Sequence, residues 1–382
     1  MQCQRHLFSL PEPQHYLNCA YMSPLLKSVQ DAGVAAVGLK ASPADIVGAD
    51  FFEPVETLRD RFGRLINTSA DRVACIPAAS YGAAVAVHNT PLRAGQNVVL
   101  PAEEFPSNVY GWMAACDRSG AELRLVERPD GAPSAAAWNT RLLEAIDRNT
   151  ASVTLTDVHW TDGTPFDLEA IGRRAREVGA LFVIDGTQSV GALPFDFDHL
   201  QPDLLVCAGY KWMLGPYQYG LIAVGDRLLD GEPFEHNWIN RKDSENFSSL
   251  IDYRRDYQPG ARRYDTGERS NFISVAMLNE GLKQILAWGV EAIRDHCAAL
   301  SGDLETALAD TPYTMAPAAE RSPHLFGIRV PDGERLPAIL EDLRRREVYV
   351  SQRGTSLRVS PHVYNTPDDL GALVDALRAA AP

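Results

Sequence analysis

The chain has 382 residues, 45% of them hydrophobic. That is more than one simple core accommodates, so two domains are expected, and no apolar run approaches the ~20 residues of a membrane-spanning helix. The formal charge of −14, from 36 basic and 50 acidic residues, argues against nucleic acid and anionic membranes as partners, while leaving room for one locally basic cleft.

The N-terminus, Met1-Gln-Cys-Gln-Arg-His6, has no basic region followed by a long apolar segment, so no secretory signal is expected. Arg72 to Ile76 reads as a strand and Ser80 to His88 as a helix of small residues. A strand at Asn97 to Leu100 precedes a helix at Pro106 to Arg118, and further strands are expected at Glu122 to Val126 and Ala151 to Val158. Asp167 ahead of an amphipathic run marks a helix start reaching Val178. Strands follow at Leu181 to Ile184, Leu204 to Cys207 and Gly220 to Val224. Such alternation predicts a mainly parallel, doubly wound sheet. Glu235 to Arg269 is polar, aromatic and irregular, as in a long active-site crossing; a helix-rich segment begins at Phe272, with later strands at Leu325 to Val330 and Leu357 to Val359. The six cysteines, at 3, 19, 75, 116, 207 and 297, form no Cys-x-x-Cys pair, and the nine histidines form no His-Glu-x-x-His. Neither disulfides nor a metal site is expected, and the thiols read as reduced, in a cytoplasmic protein.

Two apolar runs carry the chemistry. Phe182-Val-Ile-Asp185 ends in a carboxylate with Gln188 just beyond, and Leu204-Leu-Val-Cys-Ala-Gly-Tyr-Lys211 ends in a lysine. In a parallel sheet both carboxyl ends open on one crevice, where ligands bind. Pyridoxal phosphate needs an amine to hold its aldehyde and an acid to keep its ring nitrogen protonated. Spacing alone leaves an ordinary salt bridge open beside this reading. Likewise Ala78-Ala-Ser-Tyr-Gly82 follows a strand and opens a helix, a suitable anion site, although a helix-starting serine is ordinarily only a cap.

Asp185-Gly-x-Gln-x-x-Gly191, Pro202-Asp203 and Gly209-Tyr-Lys-Trp-x-x-Gly-Pro216 resemble the class V aminotransferase family of fold-type I pyridoxal-phosphate enzymes, and the resemblance spans nearly the whole chain. It implies an α/β fold with a large cofactor-binding domain (21–260), a smaller α+β C-terminal domain (261–382), and an N-terminal segment (1–20) packing on the latter. Lys211 would carry the cofactor as a Schiff base and serve as the base, with Asp185 on the ring nitrogen and Gln188 on the ring oxygen. Ala79, Ser80 and Tyr81 would face the phosphate. Phe105, in a Phe-Pro motif like that of kynureninases, would stack on the ring, and Tyr210 would touch the phosphate as in kynureninases. Ala208 replaces a serine of cysteine desulfurases, and Trp160 replaces the usual ring-hydroxyl contact; His159 is equally compatible with a structural role.

Arg358 and Arg353 match the carboxylate-binding end, with Asn18 beside the substrate, although a loop arginine such as Arg353 is ordinarily solvated. The stretch 262–271 resembles a loop that crosses to a partner's phosphate, placing Asn271 or Ser270 and Arg269 there, although Gly267-Glu268 replaces the family's Gly-Thr. A homodimer with shared active sites follows. The resemblance implies a transferase acting on an amino-acid substrate, an aminotransferase first; a β-eliminating lyase (C–S or kynurenine-like) and an epimerase remain alternatives. A cofactor-binding regulator is disfavoured because no DNA-binding module is appended. Persulfide-forming desulfurase chemistry is disfavoured because 350–358 contains no cysteine.

Overall fold

The computed structural model describes residues 1–129 and 134–381. Its largest element is a seven-stranded sheet in the order Val73–Ile76, Gly220–Val224, Leu204–Ala208, Leu181–Asp185, Thr150–Thr156, Asn97–Pro101, Glu122–Val126. The pairings among the last five are parallel, whereas Gly220–Val224 runs antiparallel to both of its neighbours. Central strands are buried on both faces, which explains the unbroken apolar runs such as Leu204-Leu-Val-Cys-Ala208. Helices Ala79–His88 and Pro106–Ser119 pack together, and helix Leu168–Val178 starts where Asp167 accepts the Ala170 N–H at 2.9 Å. The fold is that of an α/β, fold-type I protein.

Gly82 lets the first of these helices lie close to the sheet: a Cβ there would meet Val206 Cγ1 at 2.7 Å. This seats the helix N-terminus directly beyond the strand ends.

A second core gathers Leu17 with apolar residues between Leu304 and Leu377. It covers one face of a four-stranded antiparallel sheet, Ser351–Arg353, Ser356–Val359, Phe326–Arg329 and Thr314–Met315. Near the N-terminus, His15–Tyr16 pairs in parallel with Val348–Tyr349. Helix Phe272–Trp288 packs instead on helices Lys27–Gly38 and Glu53–Leu65 of the larger unit. No described helix is long and apolar enough to cross a membrane.

Candidate active site

The carboxyl ends of the strands open on a cavity of about 220 Å³. A second cavity, of about 360 Å³, adjoins it and shares Phe105, Trp160, Tyr210, Lys211 and Tyr217 with the first. Asp185 reaches the first cavity as the last residue of its strand. Lys211 arrives on a tight turn: Gly209 N–H donates to Tyr219 O at 2.9 Å, and Gly215 N–H returns to Gly209 O at 2.9 Å. Trp212, fully buried behind it, donates through Nε1 to Gln188 Oε1 at 3.1 Å.

Lys211 is only 7% exposed, and its amine faces the rings of Phe105 and Tyr210 at 5.7 and 5.6 Å. Burial, reinforced by the nearby Arg358, pulls its pKa down to about 7, with Asp185 opposing. The amine is therefore substantially neutral near neutral pH. Burial raises Asp185, while hydrogen bonds from Thr187 and the charge of Lys211 draw it back. One of its oxygens accepts the Thr187 N–H at 2.9 Å.

The phosphate-side residues divide. Ala79 and Ser80 line the first cavity, and as the first residues of their helix their N–H groups have no intrahelical acceptor. Tyr81 does not line it; its hydroxyl donates to Glu235 Oε2 at 3.2 Å, and its N–H to Ala78 O at 3.0 Å. Gln188 lines the cavity with Oε1 already engaged by Trp212 and one Nε2 hydrogen on Ala20 O at 3.3 Å, leaving the other hydrogen to give. Tyr210 lines both cavities, its phenol raised to about 12 chiefly by burial.

The arginines come from the hairpin of the smaller sheet. Cross-strand register sets Arg358 opposite Ser351 and Arg353 opposite Ser356, so both arginines lie on one face, while Leu357 and Val359 on the other enter the core. Both line the second cavity. Arg358 is 1% exposed; its Nη1 donates to Trp160 O at 2.9 Å, while Nε and Nη2 have no partner. Burial, then the charge of Arg353, brings Arg358 down to about 9. Arg353 Nη1 donates to Gln352 O at 2.6 Å, its Nε is buried without a partner, and its guanidinium lies 5.2 Å from the Trp160 ring centre.

Other expected contacts lie elsewhere. Asn18 lines neither cavity and accepts the Ser351 hydroxyl at 2.6 Å. Asn271 caps helix Phe272–Trp288 by accepting the Ser274 N–H at 3.0 Å, outside the cavities of its own chain. Arg269 is buried 3.0 Å from Asp265. His159 is structural: its Nδ1 meets Thr161 Oγ1 at 2.7 Å, and its ring packs against Trp138 and Phe166.

Sequence reasoning passed over Thr156, Thr187, Tyr217 and Gln218, which all line the first cavity. It also missed Glu104, whose buried carboxylate accepts N–H groups from Phe105 at 2.6 Å and Thr156 at 2.8 Å. That carboxyl ties the aromatic wall to the sheet; its place directly before Phe105 was the available signal. Glu235 accepts from Gly267 N–H and from the hydroxyls of Tyr81 and Thr266, pinning the 262–271 stretch beside the helix start.

The buried amine of Lys211, the facing Asp185, the aromatic Phe105 and a helix start with free N–H groups fit an aldehyde-bearing, ring-nitrogen cofactor with a phosphate tail. With the fold, they define a pyridoxal-phosphate-dependent enzyme of fold type I. The profile of the family described as Aminotransferase class-V matches residues 38–373, and the chain belongs to that family. It is 27% identical over 330 residues to the uncharacterized aminotransferase YcbU of Bacillus subtilis (strain 168), covering 86% of this chain and 84% of the relative. It is 24% identical over 350 residues to isopenicillin N epimerase of Streptomyces clavuligerus, covering 89% and 88%. Among solved structures, C-DES with glycine covalently linked to its PLP cofactor superposes with a TM-score of 0.86, at 19% identity and 98% coverage of both chains. The complex of the cystine C–S lyase C-DES with cysteine persulfide superposes equally, with 97% and 99% coverage.

Proposed function

We propose that this chain is an aminotransferase acting on the α-amino group of an amino acid. The observation that carries this reading is a single basic amine: among the described lining residues of both cavities Lys211 is the only amine, with no histidine, cysteine or glutamate beside it, and burial holds Tyr210 as a phenol. Transamination would require the Cα proton to be carried to the cofactor's former aldehyde carbon on the same face, a transfer one base can serve; epimerisation calls for a base on each face. Bound in this cleft, pyridoxal phosphate supplies an aldehyde that captures the substrate amine and a ring that spreads the negative charge left on Cα.

The chain's own residues do the rest. Asp185 would keep the ring nitrogen protonated, its buried carboxylate being the group placed to stabilise positive charge there. Phe105 would cover the cofactor ring, the Ala79 and Ser80 N–H groups would hold its phosphate, and the free Gln188 hydrogen would be available to its ring oxygen. The open Nε–Nη2 edge of Arg358 would grip the α-carboxylate and so orient the substrate toward Lys211. A β-eliminating lyase is the second reading, supported by the Tyr210 phenol beside Lys211 as a proton source for a leaving group. Persulfide chemistry lacks a nucleophile: no cysteine lines either cavity among the described residues, and burial raises the Cys19 thiol to about 12.

The same reading takes the protein as a cytoplasmic homodimer with shared sites. The 262–271 stretch, outside its own cavities, would present Asn271 to the partner, and Trp238, Phe247 and Tyr253 nearby are exposed. Mixing an inactive Lys211→Ala subunit with an inactive Arg269→Ala/Asn271→Ala subunit should restore activity; a monomer by light scattering rules this out. For the chemistry, a panel of amino acids should release keto acids with amino transfer to an acceptor keto acid. Release of pyruvate and ammonia without an acceptor would favour the lyase.

A further inference from the structure

We propose that the substrate carries a second anion on its side chain, held by Arg353, while Arg358 holds the α-carboxylate. This rests on the reading that the cleft receives an amino acid, and it adds the substrate class.

The donor count comes first. Arg358 commits Nη1 to the Trp160 carbonyl and keeps Nε and Nη2 buried and unpartnered. Those two N–H groups form one edge of the guanidinium, which a single carboxylate fills by two parallel hydrogen bonds. One α-carboxylate is therefore satisfied by Arg358 alone. Arg353 remains, its buried Nε unpartnered and its plane steadied by Trp160.

Position and charge agree. Ser356 stands two residues before Arg358 on the same strand and pairs with Arg353, so the two guanidinia leave one face of the hairpin as diagonal neighbours. Asp185 is the only carboxylate lining either cavity among the described residues, against Lys211, Arg353 and Arg358. The two guanidinia press on each other and on Lys211: burial and then Arg353 lower Arg358, and burial and then Arg358 lower Lys211, with Arg353 adding to the latter. A monoanionic substrate taken by Arg358 leaves Arg353 without a counter-charge, and a cationic side chain adds to the repulsion. Among the described residues the remaining walls of the second cavity, including Tyr21, Met22, Trp160 and Tyr217, present no acid or amide side chain, so no carboxylate there would oppose a second anion.

The test uses the purified holoenzyme and unreactive acids that lack an amino group, with affinities read by calorimetry. Glutarate should bind at least tenfold more tightly than butyrate. Arg353→Gln should bring the two within about threefold of each other, Arg353→Lys should keep part of the preference, and Arg358→Gln should weaken both. Replacing one carboxylate of glutarate by a sulfonate or phosphonate then identifies which anion Arg353 prefers. Equal affinity for glutarate and butyrate overturns the proposal. So does an Arg353→Gln variant that loses butyrate as strongly as glutarate, because both guanidinia would then share one carboxylate. A parallel titration with amino acids separates the two levels. Perturbation of the cofactor's absorbance by neutral amino acids, without a dianion preference, sinks only this inference. No perturbation by any amino acid sinks the aminotransferase reading with it.

Discussion

The two ends of the cleft face anions by opposite means. At one end, the residues opening helix Ala79–His88 offer backbone N–H groups, with no arginine or histidine among the described lining residues of that cavity. At the other, a two-stranded hairpin delivers two guanidinia that leave three buried nitrogens, Arg353 Nε and Arg358 Nε and Nη2, without a partner. Backbone donors at a helix start are fixed by the fold and cost little to leave facing a cavity. A buried, unpartnered guanidinium is costly, about 1–3 kcal/mol or more per unsatisfied group. The fold tolerates that at the hairpin end, where an arriving carboxylate would recover it. On the proposed reading, binding selectivity would be set at the hairpin end of the cleft.

The largest effect is expected at Lys211, between the ends. Lys211→Ala should lower turnover by about 10⁴-fold, the upper range for a positioned base. It should also abolish borohydride fixation of the cofactor; fixation on another lysine would remove Lys211 from its role. Asp185→Asn should retain the cofactor yet slow Cα deprotonation by roughly 10²–10³, measured by loss of deuterium from the α position. Unchanged exchange would place the ring-nitrogen carboxylate elsewhere.

Arg358→Met tests the hairpin end. Monocarboxylate affinity should fall roughly 10- to 100-fold, as for losing a charged hydrogen-bonding partner, while the melting temperature of the ligand-free protein should not drop. A clear loss of stability would mean that the guanidinium is satisfied in ways its geometry does not reveal. The same variant carries a pH signature. A lysine must be neutral to capture an aldehyde, and with a folded pKa of about 7 its capture rate should rise through neutrality and level off above it. Removing Arg358, the second cause of that depression after burial, should move the midpoint upward; an unmoved midpoint would leave burial and Arg353 as its causes. The smallest effect belongs to the helix end: Ser80→Ala should weaken cofactor binding less than tenfold, within the worth of one neutral hydrogen bond.

Legibility in the sequence followed the same division. Asp185, Gln188 and Lys211 stood out because strand ends in a parallel sheet converge and their spacing survives reading along one chain. Arg358 was picked out because 351–360 resembles the family's carboxylate-binding end, and the structure sets it on a strand between the core residues Leu357 and Val359. Tyr81 and Asn18, adjacent to the right segments, turn to Glu235 and Ser351, distant partners that no local pattern reveals. Tyr217 and Gln218 enter the cavity from a loop with a positive φ at Gln218, where neither strand nor helix periodicity assigns a direction. Helix Lys27–Gly38 has no side-chain cap and no acid in its first turn, so its start carried no signal.

The alternation in the hairpin also bears on how this protein can change over generations. Leu357 and Val359 point one way and Arg358 the other, with a two-residue turn, Gly354 and Thr355, joining the paired Arg353 and Ser356. Gain or loss of a single residue within Ser356–Val359 would turn the leucine and valine outward and drive a guanidinium into the core. Point replacement at position 353 disturbs no core neighbour. Descendants of this chain can therefore explore new side-chain chemistries by substitution at that position, while insertions and deletions in the strand are closed to them.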